Sequence, residues 1–591
     1  MRSRFLLAAL PVVLLCGCFS PPGRDGASRA PFTVRLIAFN DFHGHVEGAD
    51  ALAAHVARMR SQAAHSVVVG AGDSIGASPL VSSLFLDEPA VEALNRVGLE
   101  FNSVGNHEFD KGAAELLRLQ DGGCKAGEAH SCQGARVGTP VPFEGAKFRW
   151  LAANVIEQAS GKPLLPAYGV KSFDGIPVAF IGVTLEGTPT IVTPSGVRGL
   201  EFRDEADTVN RLVPELKARG IEAIVLLIHE GGVQRGPQPD INGCEGRLAG
   251  SPVAGIVRRL DDAVDLVVSG HTHAAYNCKL PNAAGREIPV TSAGAFGRLL
   301  TEADLTLDPA SRDITAVAAT NRLVRRDDPG VPPDAALARI VDGYRNLAAS
   351  LAGRVIGTIA ADLPNTRVDA ACNMPAGQLI ADAMLAATAA PDAGGAQVAL
   401  MNGGGVRSPG FSFRSSAAGE GDGNVTFGEA FTVQPFGNDL VTLTLTATDL
   451  RNLLEEQFAG CGGQPAGNTR LMLASTGFHA TWDGARSCGE RIRALALRRG
   501  EATETIVEDG KLLVPSRRYR VTVNNYMAEG GDGYATFRKG TNRRVGPRDV
   551  DALADYLGRF KPPSAAYRPE DAQRLRRIGG SVCPTGADTN P

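Results

Sequence analysis

Two features are missing from this sequence of 591 residues: a strong net charge and a hydrophobic run of transmembrane length. The formal net charge is −4, so there is no overall positive field to attract a nucleic acid polymer as a partner. The N-terminal apolar run, Phe5 to Leu15, is too short to span a bilayer. The composition, 43% hydrophobic and 21% charged, is that of a soluble globular protein. Because one hydrophobic core does not serve this length, we expect at least two domains.

The N-terminal segment has the order of an export signal. Basic residues precede the apolar run, and Cys16-Gly17-Cys18 follows it. This end of the run resembles the lipobox of bacterial lipoproteins, in which a small residue precedes a cysteine that becomes lipidated and N-terminal. We therefore expect residues 1–17 to be a lipoprotein signal peptide, Cys18 to carry the lipid and residues 18–31 to form a tether.

With this anchor, the protein is expected to be an exported lipoprotein that is attached to a membrane and faces the periplasm or the cell exterior. Simple secretion after cleavage near Ala27 or Ala30 is the alternative for the same segment. The lipid is the only membrane contact that we expect.

The cysteine content also suggests export. Loss of Cys16 and acylation of Cys18 would leave eight of the ten cysteines, an even number that favours disulfides in an exported chain. No Cys-x-x-Cys pair occurs among these eight, which argues against a cysteine metal site. Proximity along the chain suggests the pairs Cys124 with Cys132, Cys244 with Cys278, and Cys461 with Cys488. Cys372 and Cys583 remain.

The first half of the chain alternates apolar strand patterns with helical ones. The strand patterns are rich in Val and Ile and end in polar or glycine residues: Val34 to Phe39, Val67 to Val69, Ile224 to Ile228 and Val264 to Val268. The helical patterns between them are Ala49 to Arg60, Pro89 to Val97 and Ala206 to Lys217. This alternation predicts a layered α/β domain over residues 32–330, with the direction of its sheet left open.

A charged, proline-rich stretch ends this half and precedes a helical pattern from Asp334 to Leu351, which predicts a linker helix within residues 331–353. A second domain is expected over residues 354–578, followed by a tail at 579–591. Its predicted helices are Gly377 to Ala387 and Ala447 to Gln457, and its predicted strands are Val398 to Met401, Leu440 to Leu445 and Arg518 to Val523.

Potential metal ligands follow the predicted strands of the first half. They are Asp41, His43, Asp73, Asn106, His229, His271 and His273. Any one of them has an ordinary alternative, because Asp and Asn after a strand often form turns or helix caps and a lone His is usually structural. The ordered set of oxygen and imidazole ligands at strand ends instead predicts a divalent metal site.

The five blocks that contain these residues resemble those of the calcineurin-like metallophosphoesterases. Together with the second half, the chain resembles the 5'-nucleotidase and UDP-sugar hydrolase family. The resemblance implies an α/β protein with an N-terminal four-layer α-β-β-α sandwich, a linker helix and a C-terminal α+β domain. It also implies two divalent metal ions, one held by Asp41, His43 and His273 and the other by Asn106, His229 and His271, with Asp73 bridging them.

This ligand assortment suits metal-assisted phosphoester hydrolysis. A bridging carboxylate can hold two divalent cations roughly 3.5–4 Å apart, which lowers the pKa of a shared water. Mixed oxygen and imidazole ligands suit zinc, manganese or other first-row ions rather than calcium.

His107 and Asp110 lie in the same block as Asn106 without being counted as ligands. The resemblance implies that His107 stabilises the transferred phosphoryl group and the leaving oxygen, and that Asp110 fixes its imidazole. A charged imidazole would oppose the charge that develops on those oxygens. The alternative is a surface helix start that Asp110 caps.

The second half contains the motifs of a nucleotide pocket. Glycine-rich Asn402 to Arg407 allows backbone amides to approach an anion, and its arginine supplies a forked cation. By resemblance, the residues that contact the substrate are Arg367, Asn402, Gly404, Arg407, Phe436, Asn438, Tyr526 and Asp532. Phe436 and Tyr526 would stack on the nucleobase and Asp532 would bind the ribose, unless the two rings are core aromatics. The family commonly has Phe at Tyr526 and Asn at Glu529, which leaves the preferred nucleotide open.

The leading hypothesis is extracytoplasmic hydrolysis of nucleoside 5'-monophosphates, and of other small nucleotides, to nucleoside and phosphate. A 2',3'-cyclic-nucleotide phosphodiesterase with 3'-nucleotidase activity and a UDP-sugar hydrolase are alternatives built on the same residues. A nucleotide-binding surface lipoprotein without catalysis is the alternative of another class. The expected partner in each case is a small nucleotide.

Overall fold

The computed structural model describes residues 30–235, 239–415, 419–464, 469–569 and 574–580. The predicted signal peptide, the lipidation residue Cys18, most of the tether, Cys583 and all but the start of the tail lie outside the described residues. Within the described ranges, no helix combines the length and the apolar character needed to cross a membrane.

The first half contains two sheets and the helices that cover them. Its strands are β1 (Phe32–Phe39), β2 (Ser66–Ala71), β3 (Phe101–Ser103), β4 (Arg149–Leu151), β5 (Val155–Glu157), β6 (Tyr168–Phe173), β7 (Ile176–Thr184), β8 (Leu200–Phe202), β9 (Ala223–His229), β10 (Val264–Ser269), β11 (Ala275–Pro281), β12 (Glu287–Ala293), β13 (Leu299–Asp308) and β14 (Asp313–Leu323). Its helices are α1 (Ala49–Ser61), α2 (Leu80–Ser83), α3 (Glu88–Val97), α4 (Ala113–Asp121), α5 (Gly134–Val137), α6 (Glu205–Ala218) and α7 (Pro252–Arg259).

The two large sheets pack face to face. One has the order β14-β13-β1-β2-β3-β4 and the other β11-β12-β10-β9-β7-β6. Along β1, Leu36 belongs to the core between the sheets, whereas Ile37 joins the core beneath α1, α3 and α4. Along β9, Val225 belongs to the core between the sheets, whereas Leu226 joins the outer core beneath α6 and α7. Both faces are covered, which is why these strands are continuously apolar. The predicted α-β-β-α layering is confirmed.

Strand direction, which the sequence left open, is parallel at the centre of both sheets. β1, β2, β3 and β4 are parallel neighbours, as are β7, β9, β10 and β12. The carboxyl ends of these strands therefore meet at one edge of the sandwich, where predicted ligands lie at or after the ends of β1, β2, β3, β9 and β10.

The predicted linker helix is α8 (Ala335–Ala352). The Asp334 carboxylate caps it by accepting hydrogen bonds from the backbone N–H groups of Ala336 and Leu337, both at 2.8 Å. Leu337 joins the core of the first half, and Tyr344 packs on Phe85 at a ring distance of 5.0 Å. The helix is therefore packed on the first domain along its apolar face.

The second half is an α+β domain. Its strands are β15 (Val355–Thr358), β16 (Leu363–Pro364), β17 (Val398–Met401), β18 (Gly410–Phe411), β19 (Asn424–Thr426), β20 (Asp439–Thr446), β21 (Leu473–Ala474), β22 (Phe478–Asp483), β23 (Ile492–Arg499), β24 (Ala502–Glu508), β25 (Lys511–Leu512), β26 (Arg518–Asn524), β27 (Thr541–Arg548) and β28 (Leu575–Gly579). Its helices are α9 (Pro375–Thr388), α10 (Phe427–Val433), α11 (Ala447–Glu456), α12 (Asn525–Ala528) and α13 (Asp549–Leu557). The main sheets have the orders β21-β17-β26-β20-β27 and β25-β24-β23-β22-β28.

Three disulfides stabilise loops in both halves. Cys124 pairs with Cys132, Cys244 with Cys278, and Cys461 with Cys488, so the predicted pairs are confirmed. Cys372 is also disulfide-bonded.

A buried carboxylic acid joins the linker helix to α3 and makes a stability prediction. Glu92 is 5% exposed and accepts a hydrogen bond from the Tyr344 hydroxyl at 2.8 Å. Burial raises the pKa of Glu92 from 4.5 to about 8, although the Tyr344 hydroxyl lowers it. Between pH 4.5 and pH 8, folding therefore takes up a proton at Glu92. The free energy of unfolding that depends on this proton is fully present below pH 4.5 and is lost as the pH rises towards 8.

The Glu92→Gln variant keeps an acceptor for Tyr344 but does not ionise. Between pH 5 and pH 8 we expect the parent to lose roughly 2–4 kcal/mol more unfolding free energy than this variant, measured by urea unfolding at both pH values. Glu128→Gln, at an exposed position, is the matched control and should follow the parent. An identical pH dependence in parent and Glu92→Gln would contradict the protonated state of this acid.

Candidate metal centre and substrate pocket

The seven predicted ligands lie at one edge of the N-terminal sandwich. Asp41 and His43 follow β1, Asp73 follows β2, Asn106 follows β3, His229 ends β9, and His271 and His273 follow β10. Two of the carboxylate and imidazole groups whose ligand atoms lie within 4.8 Å of one another are Asp41, His43 and His273, and Asp73, His229 and His271. The structure thus brings together residues separated by more than two hundred positions.

The backbone at this edge is unusual. Asp41, His43, Asp73, His271 and His273 all have positive φ values, between 46° and 73°. Non-glycine residues rarely adopt this left-handed conformation, and they concentrate at functional sites where the surrounding structure holds them. Segments that are distant in the sequence approach each other closely at the neighbouring turns.

Glycine is required at two of these turns. A Cβ on Gly105 would lie 2.1 Å from Asp73 Oδ1, and a Cβ on Gly72, where φ is +84°, would lie 2.5 Å from the His229 ring. Any larger residue would displace a predicted ligand.

In the first group the imidazoles face each other. His43 Nε2 lies 3.1 Å from His273 Nε2, and Asp41 Oδ1 lies 3.4 Å from the same His273 atom. His43 Nδ1 donates to the Gly76 carbonyl at 2.8 Å, which leaves Nε2 with the lone pair that a metal requires.

The second group contains buried polar atoms without a hydrogen-bond partner. Within the described residues, Asn106 Oδ1 accepts no hydrogen bond, and His229 Nε2 makes no well-aligned one although Asp73 Oδ2 lies 3.0 Å away. His229 Nδ1 donates to the Ala71 carbonyl at 2.7 Å, so Nε2 is again the nitrogen that faces the site. Buried polar atoms are normally bonded, and these two are predicted ligands of the same ion. The positions of these two atoms therefore fit the binding of a metal ion.

Asp73 lies between the two groups. Its Oδ2 atom is 3.0 Å from His229 Nε2 and 3.6 Å from His43 Nε2, while Oδ1 accepts the His107 backbone N–H at 2.9 Å. Burial opposes protonation of His229, but Asp73 raises the pKa of His229 to about 10. The carboxylates thus create a strong attraction for a cation at this point.

Two residues that hold the ligands in place were not predicted. The buried Glu108 carboxylate accepts the backbone N–H groups of Asp73 at 2.9 Å, Ser74 at 2.8 Å and Gly105 at 2.6 Å. Asn40 Nδ2 donates to Asp41 Oδ2 at 2.7 Å. Both lie beside predicted ligands in sequence, but no periodicity distinguishes them from ordinary loop residues.

His107 and Asp110 form the predicted pair. His107 Nδ1 lies 2.7 Å from Asp110 Oδ2. Burial disfavours the charged imidazole, yet Asp110 and Asp73 outweigh it and raise the pKa of His107. The opposite nitrogen, Nε2, is 3.2 Å from Arg407 Nη2 of the second domain.

Phe436 and Arg407 meet His107 at the boundary between the domains. The Phe436 ring is stacked against His107 at 6.0 Å, and the Arg407 guanidinium carbon lies 5.1 Å from the same ring centre. Lys111 Nζ donates to the Phe436 carbonyl at 2.6 Å across this boundary. A predicted phosphate-binding residue and a predicted stacking ring are therefore adjacent to the predicted catalytic pair.

Tyr526 and Asp532 form a second cluster in the pocket. The Tyr526 hydroxyl lies 2.8 Å from Asp532 Oδ1, and Asn402 Nδ2 donates to Asp532 Oδ2 at 2.8 Å. Tyr526 also approaches the Thr190 carbonyl of the first domain at 3.3 Å. The hydroxyl that distinguishes this chain from the family's Phe is thus bonded to the predicted ribose-binding carboxylate.

The other three predicted substrate-binding residues are Arg367, Asn438 and Gly404. Arg367 donates to the carbonyls of Cys372 at 2.8 Å and Leu471 at 2.9 Å. The Asn438 carbonyl accepts the Asp549 N–H at 2.8 Å. Gly404 lies in a 3-10 turn after β17. Substrate contact by these three residues stays a prediction.

Comparison with known proteins follows the two halves of the chain. A family model described as calcineurin-like phosphoesterase matches residues 34–275, and one described as 5'-nucleotidase, C-terminal domain, matches residues 355–539. The endonuclease YhcR of Bacillus subtilis is 30% identical over 93% of this chain but only 42% of its own length. A 5'-nucleotidase of Vibrio parahaemolyticus is 24% identical over 94% of each chain.

A solved structure shares the whole arrangement. The 5'-nucleotidase precursor from Thermus thermophilus has a TM-score of 0.68 and 25% identity to this chain, covering 93% of it and 99% of the precursor. Both domains and their order are therefore common to the two proteins. The chain belongs to the family of phosphoric-ester hydrolases in which a calcineurin-like phosphoesterase domain precedes a 5'-nucleotidase C-terminal domain.

Proposed function

We propose that the protein hydrolyses nucleoside 5'-monophosphates to nucleoside and phosphate. The observation that carries this proposal is the 3.2 Å approach of Arg407 to His107, with Phe436 against both. A substrate at this point would have its phosphate between Arg407 and the metal-site residues while its base reaches an aromatic ring. A general phosphatase has no need of that ring.

The proposed metal ligands are those brought together at the sandwich edge. Asp41, His43 and His273 would hold one divalent ion and Asn106, His229 and His271 the other, with Asp73 shared. When bound, such ions polarise phosphoryl oxygens and lower the pKa of water. The unpaired Asn106 Oδ1 atom and the approach of His229 Nε2 to Asp73 Oδ2 at 3.0 Å support this assignment.

The protein's own residues supply the remaining stabilisation. Asp110 raises the pKa of His107 and so favours its charged form, and His107 and Arg407 would both present positive charge to the phosphoryl group and leaving oxygen. Asp110 fixes the imidazole so that Nε2 faces the substrate side, where Arg407 lies. Phe436 and Tyr526 would hold the base and Asp532 the ribose.

We further propose that this activity is extracytoplasmic. The lipobox resemblance supports a lipid on Cys18, and the disulfides suit an oxidising compartment. The working domain limits are 32–330 for the metal domain, 331–353 for the linker helix and 354–578 for the nucleotide domain.

A phosphate-release panel tests the proposed function. Chelated protein would be supplied with Zn²⁺, Mn²⁺ or Mg²⁺ and assayed on AMP, 2',3'-cyclic AMP and UDP-glucose. We expect AMP to be the best substrate and activity to return only with metal. A preference for the cyclic nucleotide or for UDP-glucose would replace 5'-nucleotidase activity with one of the two alternatives, and the endonuclease relative justifies adding an oligonucleotide.

Asp73→Asn tests the shared-ligand role in the same assay. Because its carboxylate contacts both ligand groups, we expect at least a roughly 1000-fold loss of kcat on every substrate, including p-nitrophenyl phosphate. Metal content of the variant, measured after dialysis, should fall below that of the parent. Near-normal turnover with bound metal would overturn the bridging assignment.

The double variant Phe436→Ala with Tyr526→Ala tests the pocket. Loss of stacking worth about 1–3 kcal/mol should raise KM for AMP roughly tenfold or more. The same variant should keep its kcat/KM for p-nitrophenyl phosphate, which lacks ribose and a nucleobase. Phe413→Ala, at a ring that is 37% exposed in the same domain, is the control. An equal loss on both substrates would mean that the two rings are structural.

A further inference from the structure

The connection between β12 and β13 carries a phenylalanine that lies against the metal-site imidazoles. The Phe296 ring centre is 5.2 Å from that of His273, 5.9 Å from His43 and 4.1 Å from His45. The Arg298 guanidinium carbon also lies 4.8 Å from the centre of this ring. The sequence patterns that predicted the ligands do not mark this residue.

The backbone of Phe296 is in a conformation that a bulky residue seldom adopts. Its φ is +64°, in the left-handed region. Three hydrogen bonds fix the loop there: the Phe296 N–H donates to the Asp41 carbonyl at 2.7 Å, Asn40 Nδ2 donates to the Gly294 carbonyl at 2.6 Å, and Asn40 Oδ1 accepts the Ala293 N–H at 2.8 Å. The loop is therefore attached to the segment that supplies Asp41.

The same loop contains glycines at two other left-handed positions. Gly294 and Gly297 both have φ of +67°, and both avoid the conformational cost by lacking a Cβ. Phe296 does not avoid it. Strained residues cluster at functional sites, where the surrounding structure holds them, and here the side chain lies against His43 and His273.

We infer that Phe296 is a positioning residue of the metal centre, whose ring fixes the imidazoles of His43 and His273 for one of the two ions. The inference rests on the ligand roles given under the proposed function. The ring centres of His229 and His271 lie 5.3 Å apart, and these two residues are assigned to the other ion. Loss of the Phe296 ring should therefore weaken the binding of one ion and not of the other. Outer contacts that orient ligands commonly set metal affinity.

Metal binding to four variants of the full chain tests this role. Metal-free parent, Phe296→Ala, Phe296→Gly and Phe296→Tyr would be titrated with Co²⁺ and Zn²⁺ by calorimetry, with the Co²⁺ absorption spectrum recorded, and Phe413→Ala serves as the matched control. We expect one of two binding steps to weaken about tenfold or more in the Ala and Gly variants, while the other step changes little. Phe296→Tyr should retain both steps.

Thermal unfolding of the metal-free proteins separates ring from backbone. Phe296→Gly removes the unfavourable conformation, so its Tm should equal or exceed that of Phe296→Ala, even though both lose affinity. Unchanged binding of both ions in the Ala and Gly variants would overturn the inference while leaving the proposed function intact. Equal weakening of both steps together with a lowered Tm would make Phe296 a general packing residue. A parent that binds no divalent ion would overturn the metal site itself, and this inference with it.

Discussion

Two carboxylates buried at the junction of two sheets are the constraint on which the N-terminal domain depends. Asp41 and Asp73 are 0% and 1% exposed. Burial raises the pKa of each, but the surrounding histidines outweigh it and lower both pKa values below 3.8, so the acids stay charged. Buried charges of this kind are tolerated only with opposite charge or metal ions and with well-placed hydrogen-bond donors.

Much of the surrounding structure serves that requirement. Backbone N–H groups of His271 and His107 donate to Asp41 and Asp73, and Asn40 and Glu108 fix the loops that carry them. Asp41, His43, Asp73, His271 and His273 have positive φ in the same loops, and the parallel strands beneath provide the rigid base that holds them. Rigidity in the sheets thus permits an unfavourable but useful arrangement at their edge.

The second domain places an arginine and an aromatic ring beside the candidate metal site. Arg407 follows a glycine-rich turn after β17 and reaches His107, while Phe436 lies before β20 and stacks on the same imidazole. Contacts across the boundary also involve residues at which the chain differs from the family pattern. Glu529 accepts the Ser195 N–H at 3.0 Å and Tyr526 approaches the Thr190 carbonyl, so both residues contribute to the contact between the domains.

The sequence by itself determined the main elements and the candidate ligands, because both follow from local patterns. Apolar runs of Val and Ile specify β1, β9 and β10 through burial on both faces, and Asp41, His229 and His271 lie at or just after the ends of these strands. Only the tertiary structure decided strand direction, the approach of Arg407 to His107, and the contacts of Glu108 and Phe296. These depend on contacts between distant segments, such as Phe296 with His43, and on a backbone conformation that Phe does not favour by itself. A local pattern does not contain either kind of information.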